Sequence, residues 1–388
     1  MNTAGKRGVV PRAKRKIVYC GLDVPWVDAR GRGRMGPEDL LTQIPRLRHL
    51  PFDGIAINLY DPKFPYPQSI LGNNLFGSAR HTYAAFARAV PMLKELRKTT
   101  LRDNFFLIAT GYWFESGKHH RFDWFDDARW RSVENNLRVY ARIARESGVV
   151  RGFLIDVEPY RKPESWGGET EWAHNIFSLN TMFNLVNQLP GGTDARGAYL
   201  RRVRDRGRRF FRVLDESLPG APLLFYHGNG QALNTNDPFR ADLFPAFLDG
   251  ILEEIERRGS RSYVIDGVEA AYKYRGATEY KEARRAVQTR YKTVSSVPAL
   301  YAKHVRVGFG KWLDAGGGSA AAWNAADVSR NFYSPQSWEQ SLKAALDQTD
   351  EYVWIWSYGE GRIFPMSHNR AVNVPKPYLN AIWRARRG

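Results

Sequence analysis

Residues 152–160 read GFLIDVEPY. Gly152 to Ile155 and Val157 suit a buried strand, yet Asp156 and Glu158 stand at its end, where a charge is costly to bury. Strand side chains at i and i+2 point to the same face, so the two carboxylates can share one site. A buried strand ending on acids defines a unit whose repetition along the chain decides the fold.

Seven further stretches have the same branched and aromatic character: 16–23 (KIVYCGLD), 54–60 (GIAINLY), 105–112 (FFLIATGY), 223–227 (LLFYH), 263–268 (YVIDGV), 305–312 (VRVGFGKW) and 352–358 (YVWIWSY). Between them lie segments of helical period, at 83–97, 128–147, 199–217, 241–257, 279–293 and 335–348, with a last one at 375–387. Eight strands with eight crossovers predict a single (β/α)8 TIM barrel over residues 16–388, preceded by a basic, disordered segment at 1–15. The 388 residues exceed the ~250 typical of that fold. The surplus falls after the strands, at 62–80, 113–127, 159–194, 228–240 and 314–334, where long loops would build a cleft on the C-terminal face. An open doubly wound sheet has the same periodicity and is the structural rival.

Composition narrows the function. The chain is 43% hydrophobic, ample for a large core. No stretch reaches the ~20 apolar residues of a membrane span, and the first residues lack the apolar centre of a secretory signal. The chain as written is therefore expected to be soluble and cytoplasmic, or secreted if a signal has been removed, with no membrane partner. The single cysteine, Cys20, excludes an internal disulfide framework. A net charge of +18 raises the question of an acidic partner. The basic residues cluster at the two termini and between Arg196 and Arg212, without a recognisable nucleic-acid reading module, so an anionic glycan or a solvated basic surface is expected over nucleic acid.

At the strand ends a polar set gathers: Asp23, Asn58, Asp61, Tyr112, Glu115, Asp156, Glu158, His227, Asp266, Glu269, Asp314 and Glu360. Any one of these could simply cap a helix. Together they would converge on one mouth, and the fourth, sixth and eighth strands each end near a glutamate. Glycoside hydrolysis requires a carboxylic acid of raised pKa and a second carboxylate that attacks or activates water. Glu158 is the candidate acid, Asp156 its electrostatic helper, and Glu269 or Glu360 the partner. Sugar rings stack on aromatic planes, and Trp26, Trp113, Trp124, Trp166, Trp312, Trp323 and Trp356 lie at strand ends or in the following loops. Tyr112, Tyr160, His227, Asp266 and Tyr272, with Asp23 and Asn58, complete the expected carbohydrate-binding set. Large aromatics also fill cores, the reading for Trp130, Trp354 and Trp383. His119 and His120 with Asp123, or His227 with Asp237, lack the spacing of known metal motifs, so no metal site is assigned, and the rival readings are a non-catalytic carbohydrate-binding barrel and a metal-dependent barrel hydrolase or lyase. Phosphate-binding glycine loops, a GxSxG elbow and an activated thiol are also missing, and no organic cofactor is implied.

GFLIDVEPY resembles the fourth-strand ending of barrel glycosidases: the chitinase type carries D-x-E there with Glu as the acid, and Chalaropsis-type lysozymes end that strand on D-V-E. The order YVIDGVEAAY, VGFGKWLD and NFYSPQSWEQSLKAALDQTDEYVWIWSYGE, within residues 150–360, is similar to uncharacterised glycoside-hydrolase-like barrel proteins. The resemblance implies a barrel fold, the acid role of Glu158 and the assisting role of Asp156. The chain departs from the chitinase pattern at Leu154, where that type has a further Asp, which leaves the acetamido-assisted mechanism unsupported. It departs from the cellulase type at Val157, where Asn would precede the acid, and its VRVGFGKW lacks the seventh-strand nucleophile.

Overall fold

The computed structural model describes residues 15–20, 41, 44–45, 47–59, 71–72, 75–77, 79–110, 122–157, 176–179, 195–236, 240–315, 323–357 and 374–387. Nine short strands form one parallel sheet: β1 (Lys16–Tyr19), β2 (Gly54–Ile57), β3 (Asn104–Ala109), β4 (Val150–Asp156), β5 (Leu223–Phe225), β6 (Val264–Asp266), β7 (Val305–Val307), β8 (Phe309–Trp312) and β9 (Tyr352–Trp356). They pair in the order β7-β6-β5-β4-β3-β2-β1-β9-β8. The two ends of that order are neighbours in the chain, separated only by Gly308, so the sheet closes into a (β/α)8 barrel and the open-sheet alternative is excluded.

The stretch at 305–312, expected as one strand, is divided at that closure. β7 pairs with β6 through Val264 and Val305, while β8 pairs with β9 through Phe309 and Val353. Two glycines make the bend possible. A Cβ on Gly308 would lie 2.9 Å from Ile265 Cγ2, and one on Gly310 would lie 2.6 Å from the Trp354 ring.

The helices with described bounds are α1 (Tyr83–Phe86), α2 (Ala89–Lys94), α3 (Asp127–Ser147), α4 (Ala195–Ser217), α5 (Phe244–Arg258), α6 (Ala277–Gln288), α7 (Pro298–His304), α8 (Pro335–Gln348) and α9 (Lys376–Arg387). The single helix expected at 83–97 is broken into α1, α2 and a 3-10 turn at Glu95–Lys98. Pro91 offers no amide hydrogen to an unbroken helix and is tolerated in the first turn of α2. The helix expected at 279–293 stops at Gln288, and α7, which the periodicity did not reveal, begins on Pro298.

Alternation along the strands separates two apolar layers. Val18, Cys20, Ala56, Phe105, Leu107, Leu154, Leu224, Tyr226, Ile265 and Trp354 fill the barrel lumen. Their strand neighbours, such as Ile17, Phe106, Phe153, Ile155, Phe225, Val264 and Phe309, pack outward in the larger cluster that includes the helices. Trp354 is the floor of the lumen: its ring lies 4.1 Å from that of Tyr226, near-parallel, and its Nε1 donates to the Gly267 carbonyl at 2.9 Å.

The arginine-rich segment is α4, and its charge is consumed between helices. Arg202 and Arg206 pair with Asp127 and Arg209 with Glu134, both acids on α3, while Arg204 and Arg208 pair with Glu253 and Arg212 with Glu254 on α5. Arg206 is fully buried, donating also to the Trp124 carbonyl and stacking 4.9 Å from the Trp130 ring. These six side chains are interhelical fasteners and give no support to an anionic partner. Among the described residues no helix is long and apolar enough to cross a membrane.

Candidate functional site at the C-terminal mouth

The alternation that buries Leu154 in the lumen also turns Asp156 toward it, while Ile155 and Val157 pack outward. Asp156 is 5% exposed at the last position of β4, and its carbonyl holds Thr110 at the end of β3 through the amide at 2.9 Å and the hydroxyl at 3.0 Å. Asn58 lies two residues beyond the lumen residue Ala56, is buried, and its Oδ1 has no hydrogen-bond partner among the described residues.

Aromatic rings form the wall on the β6–β9 side. Tyr272 meets Trp354 edge-on at 5.2 Å and Trp312 at 5.7 Å. Trp312 donates from Nε1 to Asp314 Oδ1 at 2.8 Å, which fixes the plane of the indole. Tyr272, Trp312 and Trp356 are all partly exposed, as a stacking surface requires. Trp124 and Trp323, expected on the same platform, are instead core: Trp124 is fully buried with Nε1 bonded to the Ile176 carbonyl, and Trp323 packs 5.0 Å from Tyr378. The sequence spacing did not indicate that burial.

The β5–β6 corner is built by a bulge. The Gly267 amide bonds to the Phe225 carbonyl at 2.8 Å, and a regular ladder would next join Glu269 to the His227 carbonyl. The Glu269 amide bonds to the Tyr226 carbonyl instead, at 3.0 Å. Val268 takes up the extra residue in the left-handed region, at φ 39°, a costly conformation for a β-branched side chain. The slip sets Glu269 alongside His227, whose Nε2 lies 2.5 Å from Glu269 Oε2.

Asp266 belongs to the outer face of β6, with Val264, and is 2% exposed. Its Oδ1 accepts from the Val268 amide at 3.2 Å, holding the bulge, and a Cβ on Gly228 would collide with its carboxylate. Burial pushes its pKa up to about 6, against the lowering effect of the Val268 amide and of His227. His227, Asp266 and Glu269 line a cleft of about 290 Å³ together with Gln231, Asn234, Arg240 and Tyr291. Sequence reasoning missed these last four. The run GNGQALN after the fifth strand was the available signal for Gln231 and Asn234; Tyr291 arrives from between α6 and α7, and nothing local to it points to this cleft.

The structure therefore brings together Asn58, Asp156, Tyr272, Trp312 and Trp356 around the lumen, and His227, Asp266 and Glu269 at the β5–β6 corner. Glu158, Glu360, Asp23, Trp26, Tyr112, Trp113 and Tyr160 lie outside the described residues. Among the described residues, no group of three or more His, Cys, Asp or Glu side chains could hold a metal ion.

The chain is thus a (β/α)8 barrel whose strand ends carry buried acids beside partly exposed rings, and solved structures of glycoside hydrolases share the barrel fold. An exo-β-1,4-mannosidase from Opitutaceae bacterium strain TAV5 superposes with a TM-score of 0.50 at 12% identity, over 96% of this chain and 59% of that one. An endocellulase from Pyrococcus horikoshii in complex with cellotetraose gives 0.46 at 11% identity, over 95% and 91% of the two chains. An endo-β-mannanase/endo-β-glucanase from Prevotella bryantii gives 0.45 at 9% identity, over 96% and 48%. At these identities the likeness is one of fold. No protein-family model matches the chain and no curated protein matches it by sequence.

Proposed function

We propose that the protein is a glycoside hydrolase that cleaves an oligo- or polysaccharide at the C-terminal mouth of the barrel by carboxylate acid–base catalysis. The observation that carries this reading is a buried, lumen-facing carboxylate, Asp156, at the same mouth as the partly exposed rings of Tyr272, Trp312 and Trp356. Rings of this kind accept the C–H faces of a sugar, and acids at strand ends supply the proton transfers of glycosidic cleavage.

Glu158, two residues after Asp156, is the general acid that protonates the leaving oxygen. Asp156 assists, because two neighbouring carboxylates resist ionising together and one keeps its proton. Glu269 is the nucleophile or base, oriented by His227, with Glu360 as the alternate partner. Asp23, Trp26, Asn58, Tyr112, Trp113 and Tyr160 contribute to the sugar-binding surface. The fold likeness to mannosidases and cellulases makes neutral β-linked glycans the first substrates to try.

The test is a hydrolysis screen over neutral and anionic glycans with wild type, Glu158→Gln and Glu269→Gln. The amide keeps the shape of the side chain but cannot transfer the proton. The expected result is a kcat reduced by about 10²–10⁴-fold in Glu158→Gln with glycan binding retained. A wild type that binds a glycan and cleaves none, or two fully active variants, overturns the reading. The anomer first released, followed by NMR, then distinguishes retention from inversion.

A further inference from the structure

Lys311 interrupts the apolar outer face of β8, between Phe309 and Leu313, and is completely buried. Among the described residues it forms no ion pair with a carboxylate. Its Nζ donates to the Tyr274 carbonyl at 3.0 Å, the Tyr333 hydroxyl at 2.7 Å and the Ser341 hydroxyl at 2.8 Å. Three acceptors match the three donors of an ammonium group. The rings of Tyr333, Trp338 and Tyr280 stand 4.2, 5.4 and 5.6 Å from the nitrogen. Burial pulls the lysine pKa well below its ordinary value. An apolar side chain would avoid that cost, so the position of the group requires a reason.

The acceptors supply one. The Tyr333 hydroxyl lies 3.0 Å from the Tyr272 carbonyl and 2.7 Å from that of Tyr274, and the Ser341 hydroxyl also bonds to the Tyr274 carbonyl. All of these contacts converge on the C-terminal end of the 3-10 turn Glu269–Lys273, the turn that carries Glu269 and Tyr272. The other end of the turn is fixed by the left-handed Val268 and by the bond from the Glu269 amide to Tyr226. A short turn has few internal hydrogen bonds, so the placement of its side chains depends on how its two ends are held.

We infer that Lys311 is a positioning residue: with Tyr333 and Ser341 it pins the carbonyls of Tyr272 and Tyr274 and so sets where Glu269 and Tyr272 stand. The inference rests on the glycosidase reading for its catalytic consequence but not for its structural one. Lys311 faces the helices, away from the lumen, and touches no substrate.

The test compares wild type with Lys311→Met, which keeps the length of the side chain and removes its donors, and with Ser341→Ala, a milder cut in the same network. On a glycan that wild type cleaves, the expected result is a kcat lower by about 100-fold in Lys311→Met, with KM changed by less than about threefold and a smaller kcat loss in Ser341→Ala. The second readout needs no activity: the ring ¹H–¹⁵N correlation of His227, which contacts Glu269, moves in both variants. Thermal unfolding shows that each variant is folded, and Ser341→Ala decides the matter if Lys311→Met does not fold. A folded variant with wild-type kcat and an unmoved His227 signal overturns the inference, even if its melting temperature has fallen. Should wild type cleave no glycan, the glycosidase reading fails and the Lys311 inference stands or falls on the His227 signal alone.

Discussion

The fourth and sixth strands end in nearly the same letters, DVE at 156–158 and DGVE at 266–269, yet the barrel uses them in opposite ways. At the end of β4 the alternation from Phe153 onward is regular, and Asp156 looks into the lumen with Leu154 beneath it. At β6 the aspartate looks outward and serves as an internal fastener, its Oδ1 holding the amide of a strained valine. The one additional residue is absorbed by the bulge, which sets Glu269 beside His227. One residue between two acids therefore decides whether a strand ends on a regular face or on a built corner.

Trp354→Ala should produce the largest effect, because the indole floors the lumen beneath both strand ends. Emptying that volume is expected to cost about 3–5 kcal/mol, read as a lower midpoint in urea unfolding. A loss under about 1 kcal/mol would mean that the two ends are supported independently.

Asp266→Asn tests the β6 corner alone. The folded-state pKa of Asp266, about 6, lies above its ordinary value of 3.8, so the folded chain holds this proton more tightly than the unfolded chain does. Its contribution to stability is complete below about pH 4 and is lost as the pH rises through about 6. The difference amounts to on the order of 3 kcal/mol. Wild type measured against Asp266→Asn at pH 4 and pH 7 should therefore change in relative stability by roughly that amount, wild type being favoured at the lower pH. A pH-independent difference would place the carboxylate in a more polar setting than its burial indicates.

The smallest and sharpest comparison is between two buried valines. Val157→Gly at the regular end removes apolar burial and adds backbone freedom to the unfolded chain, at a cost of about 3 kcal/mol. Val268→Gly removes the same side chain but relieves about 1–3 kcal/mol of left-handed strain, so its net loss should be smaller, about 0–2 kcal/mol. Equal losses in chemical denaturation would show that Val268 is not strained.

Much of the barrel was legible in the chain because its strands are buried on both faces and read as apolar runs with punctuation between them. Each observed strand overlaps one of the eight runs, although the sequence run at 305–312 gave no sign that Gly308 divides it between two neighbours. The short α7 was invisible, since seven residues starting on proline carry too little period to stand out. At the site, Asp156, His227 and Glu269 were readable as acids or a histidine at strand ends. Lys311 carried the same signal, a charge inside an apolar strand, and was passed over among the glycines of VGFGKW. Tyr291 had no signal, since it reaches the β5–β6 cleft from a distant connection.

The sequence by itself determined the number and order of the strand–helix units and the presence of acids and rings at the strand ends. It could do so because hydrophobic period and the cost of a buried charge are local properties of the chain. Only the tertiary structure decided that the ring closes through Gly308, that six of the eight arginines of α4 are spent on acids of α3 and α5, and that the bulge at Val268 brings Glu269 to His227. Each of those outcomes depends on contacts between residues far apart in the chain, whose geometry is set only when the strands pair and the helices pack around them.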